Sequence, residues 1–183
     1  LNVPAVKMLQ TFGVESFYHF LKKTGMSTLT KPPGHYGLSL VLGGAETTLY
    51  DLAGMYASLA RGVLTYEERD GFYPVEQFKP LRWKDEAEER EAEASSPFLK
   101  AASAYLSLEA LREVNRPEEE TGWEAFAGAR HIAWKTGTSF GFRDAWSVGV
   151  TRNYVVAVWA GNADGEGRAG LTGTLAASPL MFT

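Results

Sequence analysis

Lys135-Thr136-Gly137-Thr138 directly follows the apolar stretch His131-Ile132-Ala133-Trp134, which is typical of a strand. A lysine supplies positive charge and two threonines supply hydroxyl donors, and together these groups suit a carboxylate. The glycine leaves the strand edge open to a ligand, and the backbone N–H of Thr138 can then stabilise an oxyanion. We therefore predict a ligand-binding strand end at Thr136, Gly137 and Thr138. The alternative interpretation is a solvated strand end followed by a turn.

Outward from this stretch, the last third of the chain has the pattern of an antiparallel sheet. Three strand candidates at 130–138, 145–151 and 154–161 are joined by short turns, which predicts a meander. The apolar segment 171–182 is expected to cover this meander as a helix.

The first two thirds are mainly helical by pattern. Helices are predicted over 3–12 and 14–24, closed by Gly13 and Gly25, with Asn2 as the N-cap of the first helix. Glycine-bounded residues 37–44 are predicted to form a tightly packed loop. The whole chain, 1–183, is thus expected to be one α+β unit in which helices cover an antiparallel sheet.

The middle of the chain gives weaker signals. Thr48 is expected to cap a helix that ends at Gly62. Short strands are predicted over 63–83, with a hairpin at Asp70-Gly71. A solvated charge run over 84–93 precedes a helix over 98–114.

Composition excludes several classes of function. The 183 residues carry a net charge of −4, which gives no basic surface for a nucleic acid. The sequence has no cysteine and only three scattered histidines, so we predict neither a metal site nor a cofactor. No stretch of residues is long and apolar enough to predict a membrane-spanning helix.

Several segments together resemble one enzyme family, the transpeptidase domain of bifunctional, class A penicillin-binding proteins. The matching segments are 37–46, 56–60, 135–138, 141–146 and 158–162, and the run Gly-Phe-Arg-Asp-Ala-Trp at 141–146 is most like the penicillin-binding protein 1C subgroup. The resemblance implies a serine β-lactamase/transpeptidase-like fold with S-x-x-K, S-x-N and K-T-G elements. Only K-T-G is complete here. Leu1-Asn2 resembles the end of S-x-N, so the chain is expected to be the C-terminal portion of the domain, with the nucleophile upstream.

This resemblance implies a function and a set of partners. The activity would be crosslinking of peptidoglycan stem peptides by a D-Ala-D-Ala transpeptidase through a serine acyl-enzyme that β-lactams trap. Asn2, Lys135 and Thr138 would be catalytic, and Thr136, Gly137 and Thr138 would bind substrate. Further partners would be the upstream half of the domain and a glycosyltransferase domain. The location would be extracytoplasmic, at the periplasmic face of the inner membrane, with the anchor outside this chain.

Other interpretations remain open or are disfavoured. A β-lactam sensor without turnover, or a serine β-lactamase or carboxypeptidase of the same fold, would use the same elements. Thr28-Leu29-Thr30-Lys31 fits [ST]-x-x-K in spelling, but Pro32-Pro33 prevents the helix that this element requires. Residues 165–170 spell G-x-G-x-x-G, yet hairpin-linked strands precede them, so we predict a surface loop.

Overall fold

The computed structural model describes residues 1–74, 77–79, 81, 93–94, 97–114 and 131–182. Helices come first and the main sheet last, so the predicted α+β architecture is confirmed. The helices are α1 (Asn2–Phe12), α2 (Val14–Lys23), α3 (Pro33–Tyr36), α4 (Leu49–Glu68), α5 (Ala101–Arg112) and α6 (Ser178–Phe182). The strands are β1 (Tyr73–Pro74), β2 (Glu93–Ala94), β3 (Ala133–Thr138), β4 (Asp144–Val150) and β5 (Val155–Gly161).

The main sheet is the predicted antiparallel meander, in the order β3-β4-β5. Its register aligns Gly137 with Trp146 and Trp146 with Trp159. A π-helix at Gly173–Ala177 and then α6 cover one face of the sheet, which confirms the predicted helical cover. The opposite face is turned toward α4.

The helices at the start of the chain share one apolar cluster. Leu9 of α1, Tyr18 of α2, Leu29, Tyr36 and Leu40 are all buried in it. The predicted α1 and α2 are confirmed, with Gly13 and Gly25 at φ of 94° and 97° after them. Burial of these side chains fixes the helical pair against the segment that follows it.

Two sequence expectations in this part were wrong. Asn2 is not an N-cap, because the helix begins at Asn2 itself and Leu1 occupies the cap position without a side-chain hydrogen bond. Residues 37–44 do not form an irregular loop, since Gly37–Leu42 make a 3₁₀ helix directly after α3. Proline at the first position of α3 favours that helix, and burial of Tyr36 and Leu40 holds both turns.

Helix α4 is longer than expected. Thr48 caps it as predicted, since Thr48 Oγ1 accepts a hydrogen bond from Asp51 N at 2.9 Å. The helix continues past Gly62 to Glu68, so the strands predicted from residue 63 are wrong for 63–68. A glycine costs a helix only about 1 kcal/mol, and burial of Gly62 and Thr65 against neighbouring elements outweighs that cost.

The Asp70-Gly71 pair ends this helix instead of turning a hairpin. Both residues have positive φ, 49° and 92°, and Gly71 N donates to Tyr66 O at 3.0 Å. The predicted return strand is not found at Phe78, Lys79 or Leu81, and the rest of 75–83 lies outside the described residues. The charge run 84–93 lies outside them too, apart from Glu93 in β2. Helix α5 begins at Ala101, later than the predicted 98.

Candidate active site

A cleft of about 1000 Å³ lies between the main sheet and the helical half of the chain. One wall is the sheet face that carries Lys135, Gly137, Trp146, Val148 and Trp159. The other walls are the start of α1, residues 41–47 and the first turns of α4. All five residues predicted from the sequence, Asn2, Lys135, Thr136, Gly137 and Thr138, line this cleft. Their catalytic and binding roles remain predictions.

Strand β3 is an edge strand in the part of the sheet that the structure describes. Ser139 N donates to Asp144 O at 3.0 Å, so residue 139 faces a hydrogen-bonded partner on β4. In an antiparallel ladder, such partners alternate with residues whose N–H and C=O point away from the neighbouring strand. The backbone N–H groups of Thr136 and Thr138 therefore point to the outer edge of β3.

Lys135 belongs to this same edge. Its side chain is exposed, and Nζ donates to the carbonyl oxygen of Thr136 at 2.5 Å. That carbonyl points outward by the same alternation, so the ammonium group lies beside the outer edge rather than over the middle of the sheet. A ligand carboxylate at this edge would meet a lysine charge and outward N–H groups together.

The conformation of the K-T-G strand is supported from behind by the start of the π-helix. Thr138 Oγ1 accepts a hydrogen bond from Gly173 N at 3.0 Å, which leaves its hydroxyl hydrogen free to be donated elsewhere. An added Cβ at Gly173 would lie 2.5 Å from Trp146 O and 2.6 Å from Gly137 O. Only glycine permits this close approach, which presses the segment against the back of β3 and β4.

The backbone conformation of β3 does not require a glycine at position 137. Its φ is not positive, and an added Cβ would meet the Trp146 side chain at 3.5 Å, an ordinary contact distance. The missing side chain leaves space next to Trp146, and the predicted part of Gly137 in binding a ligand stays a prediction.

Three groups in the cleft were not singled out from the sequence. Glu46 and Tyr56 line the helical walls, and Asp144 lines the sheet wall together with Trp159. Burial raises the pKa of the Tyr56 hydroxyl above its usual 10.0, so this hydroxyl stays protonated at neutral pH. Nothing in the sequence alone indicated that α4 faces a cleft.

The alternative [ST]-x-x-K element at 28–31 does not fit the role of a nucleophile. Thr28 lies in a turn and not at the start of a helix, and its hydroxyl donates to Glu46 O. Residues 165–170 form a loop with Gly165 and Gly170 at positive φ, as predicted.

The described residues contain no group of three or more histidine, cysteine or carboxylate side chains that could hold a metal ion. Among the helices that the structure describes, none is long and apolar enough to cross a membrane.

The chain is similar along nearly all its length to two penicillin-binding proteins. It is 30% identical to penicillin-binding protein 1C of Escherichia coli (strain K12) over 181 residues, which cover 99% of this chain and 21% of that protein. It is also 30% identical to penicillin-binding protein 1A of Neisseria flavescens over 184 residues, which cover 96% of this chain and 22% of that protein. The predicted resemblance to class A penicillin-binding proteins is confirmed. The chain spans about a fifth of the length of these curated relatives.

A comparison with solved structures also finds a penicillin-binding protein. The crystal structure of penicillin-binding protein 1A from Haemophilus influenzae superposes with a TM-score of 0.60 and 20% sequence identity, over 94% of this chain and 30% of that one. At this identity the match concerns the fold, and it confirms the predicted transpeptidase-like fold class. No protein-family model matches the chain.

Proposed function

We propose that this chain forms the C-terminal portion of the transpeptidase domain of a peptidoglycan-crosslinking enzyme that β-lactams inhibit. The observation that carries the proposal is the edge of β3, where the Lys135 ammonium and the outward N–H groups of Thr136 and Thr138 lie in one cleft with Asn2. The resemblance to penicillin-binding proteins 1C and 1A along nearly the whole chain supports it.

Each predicted residue has a role in this reaction. Lys135 and the Thr136 and Thr138 hydroxyls hold the terminal carboxylate of a D-Ala-D-Ala donor. The Thr138 N–H stabilises the oxyanion that forms when a serine hydroxyl attacks the donor amide. Gly137 lets the donor lie against the strand, and Asn2 holds the donor amide or the lysine of the S-x-x-K element.

The nucleophile comes from the part of the parent protein that lies upstream of this chain. Its serine oxygen bonds to the amide carbon, the C–N bond breaks, and D-alanine leaves with the serine proton. A second stem peptide's amine then attacks the ester carbon, the C–N bond of the crosslink forms as the ester C–O bond to serine breaks, and an amine proton returns to the serine oxygen. The upstream half of the domain and a glycosyltransferase domain are the partners, and the site faces the extracytoplasmic space.

Labelling the parent protein with a fluorescent penicillin, followed by product analysis with a D-Ala-D-Ala donor and an acceptor amine, tests this function. Covalent labelling and a crosslinked product are expected. Labelling without any donor turnover would instead indicate a β-lactam sensor, and turnover that gives only hydrolysed product would indicate a β-lactamase or carboxypeptidase. No labelling at all would contradict the proposal.

A further inference from the structure

A fully buried serine lies behind the K-T-G strand. Ser178, at the junction of the π-helix and α6, has 0% of its surface exposed, and so has Ser147 of β4 next to it. Ser178 Oγ donates to Gly173 O at 3.0 Å, and the Ser178 and Ser147 hydroxyl oxygens are 3.4 Å apart. Burying a hydroxyl costs free energy unless it is hydrogen-bonded, so the bond to Gly173 O offsets the cost of burying Ser178.

The π-helix gives Ser178 a second hydrogen bond to the same carbonyl. Its wide turn pairs residues five apart, so the backbone N–H of Ser178 also donates to Gly173 O. An α-helix pairs residues four apart, which would give this carbonyl to the N–H of Ala177 instead. A carbonyl oxygen accepts two hydrogen bonds, and here one residue supplies both donors. Ser178 therefore fixes the carbonyl side of Gly173 with its backbone and its side chain together.

Gly173 links Ser178 to the cleft. The N–H on the other side of Gly173 donates to Thr138 Oγ1 at 3.0 Å. Because a glycine has the widest choice of backbone angles, the direction of this N–H depends on what holds the carbonyl side. A hydroxyl that accepts from Gly173 N must direct its own hydrogen elsewhere, and Thr138 is exposed and lines the cleft. The Thr138 hydroxyl is thereby kept as a donor for a ligand in the cleft.

We propose that Ser178 is a positioning residue for acylation, which acts through Gly173 to direct the Thr138 hydroxyl toward the carboxylate of the donor peptide or the β-lactam. This inference rests on the proposed function, in which the edge of β3 binds that carboxylate. Ser178 does not touch the ligand, because it is fully buried on the sheet face that α6 covers. A serine that only stabilised the core would affect ligands with and without a carboxylate alike.

The test measures acylation of the parent protein by benzylpenicillin and by its methyl ester, which has no free carboxylate. We call the ratio of the two second-order acylation constants the carboxylate preference, and this ratio does not depend on the active fraction of a sample. The natural protein should favour benzylpenicillin. Ser178→Ala should lower the carboxylate preference about two- to tenfold, the effect of one neutral hydrogen bond. Thr138→Val should lower it to a similar extent, because it removes the hydroxyl itself.

Further variants separate positioning from a structural effect. The double variant Ser178→Ala/Thr138→Val should lose no more carboxylate preference than Thr138→Val alone, because both changes act on one hydroxyl. Thr24→Val is the matched control, since Thr24 is 3% exposed and its hydroxyl donates to Leu21 O at 2.8 Å at the end of α2. It should lower the melting temperature and leave the preference unchanged. Ser178→Cys keeps a similar volume with a weaker donor, so it should lose part of the preference even if Ser178→Ala does not fold.

The outcomes distinguish this inference from the proposed function. A carboxylate preference that is unchanged in the Ser178 variants but lowered in Thr138→Val and Lys135→Ala would overturn the positioning role alone. Losses that add up in the double variant would overturn it as well, because Ser178 and Thr138 would then act independently. A carboxylate preference that neither Lys135→Ala nor Thr138→Val changes would instead contradict the proposed carboxylate anchor.

Discussion

Lys135 illustrates how far a single residue can be interpreted before its surroundings are known. The sequence predicted a charge beside a strand end, and the hydrogen bond from Nζ to Thr136 O brings that charge to the outer edge of β3. The Thr136 and Thr138 N–H groups point to the same edge. This geometry favours the anchor interpretation, and kinetics can test it.

Lys135→Ala in the parent protein should slow acylation by a β-lactam by about ten- to a hundredfold, because a charge-assisted contact contributes roughly 1.5–3 kcal/mol. Thr136→Val should cost less, since it removes one neutral donor and keeps the charge. Lys135→Arg should retain part of the rate with a displaced charge. The second-order acylation constant and the melting temperature should be measured together. If the Lys135→Ala variant is folded and is acylated at the natural rate, Lys135 does not anchor the carboxylate.

Tyr56 provides a prediction about pH. Burial raises its pKa in the folded state, so the stability that the neutral hydroxyl contributes is full below the unfolded pKa of about 10 and is lost as pH rises through the folded value. The free energy of unfolding of the natural chain should fall in this alkaline range. For Tyr56→Phe, the free energy of unfolding measured by urea denaturation should fall less steeply with rising pH.

The matched control for this prediction is Tyr154→Phe, because Tyr154 is 65% exposed. That variant should follow the pH dependence of the natural chain. If Tyr56→Phe and Tyr154→Phe give the same alkaline slope, burial of the Tyr56 hydroxyl does not limit its ionisation.

At the scale of elements, short-range patterns predicted what depends on local chemistry. The meander strands, the helices α1 and α2 and the Thr48 cap follow from alternation, helical periodicity and a hydroxyl at the right position. The extension of α4 past Gly62 could not be predicted in this way, because tertiary burial outweighs the low helix propensity of one glycine. The Asp70-Gly71 signal was ambiguous for a related reason, since residues with positive φ end helices as readily as they turn hairpins.

Gly173→Ala tests the element that supports the K-T-G strand from behind. The new Cβ would overlap backbone oxygens of Trp146 and Gly137 at about the distances given above, and backbone in a paired sheet moves little. We expect a loss of about 1–3 kcal/mol in unfolding free energy, typical of overpacking. In the parent protein, slower β-lactam acylation should accompany it, because Thr138 accepts from Gly173 N.

Gly34→Ala is the control for Gly173→Ala. Gly34 is exposed in α3, has no positive φ, and an added Cβ there meets nothing within 4 Å. The free energy of unfolding of the Gly34→Ala variant should stay within about 0.5 kcal/mol of that of the natural chain. A Gly173→Ala protein that is as stable and as reactive as Gly34→Ala would show that the contact behind β3 is not required.

At the scale of the whole molecule, the cleft depends on contacts that no local pattern contains. Asn2 and Lys135 are more than a hundred residues apart in the sequence, yet they line the same cleft because α1, α4 and the sheet pack around it. The sequence placed both residues at one site only through the family resemblance. Tyr56 and Asp144 were missed because their part in the cleft follows from which faces of α4 and β4 are turned inward.

The proposed division of the catalytic machinery gives the last prediction. Residues 1–183 alone should form no covalent adduct with a fluorescent penicillin, because the serine proposed to open the lactam ring is not among them. Intact-mass measurement after incubation reads this directly, and cooperative thermal unfolding of the same sample establishes that it is folded. The parent protein, treated identically, should gain one penicillin per chain. A stoichiometric adduct on the folded 183-residue chain would show that a serine or threonine within it is the nucleophile, and the assignment of an upstream serine would then be wrong.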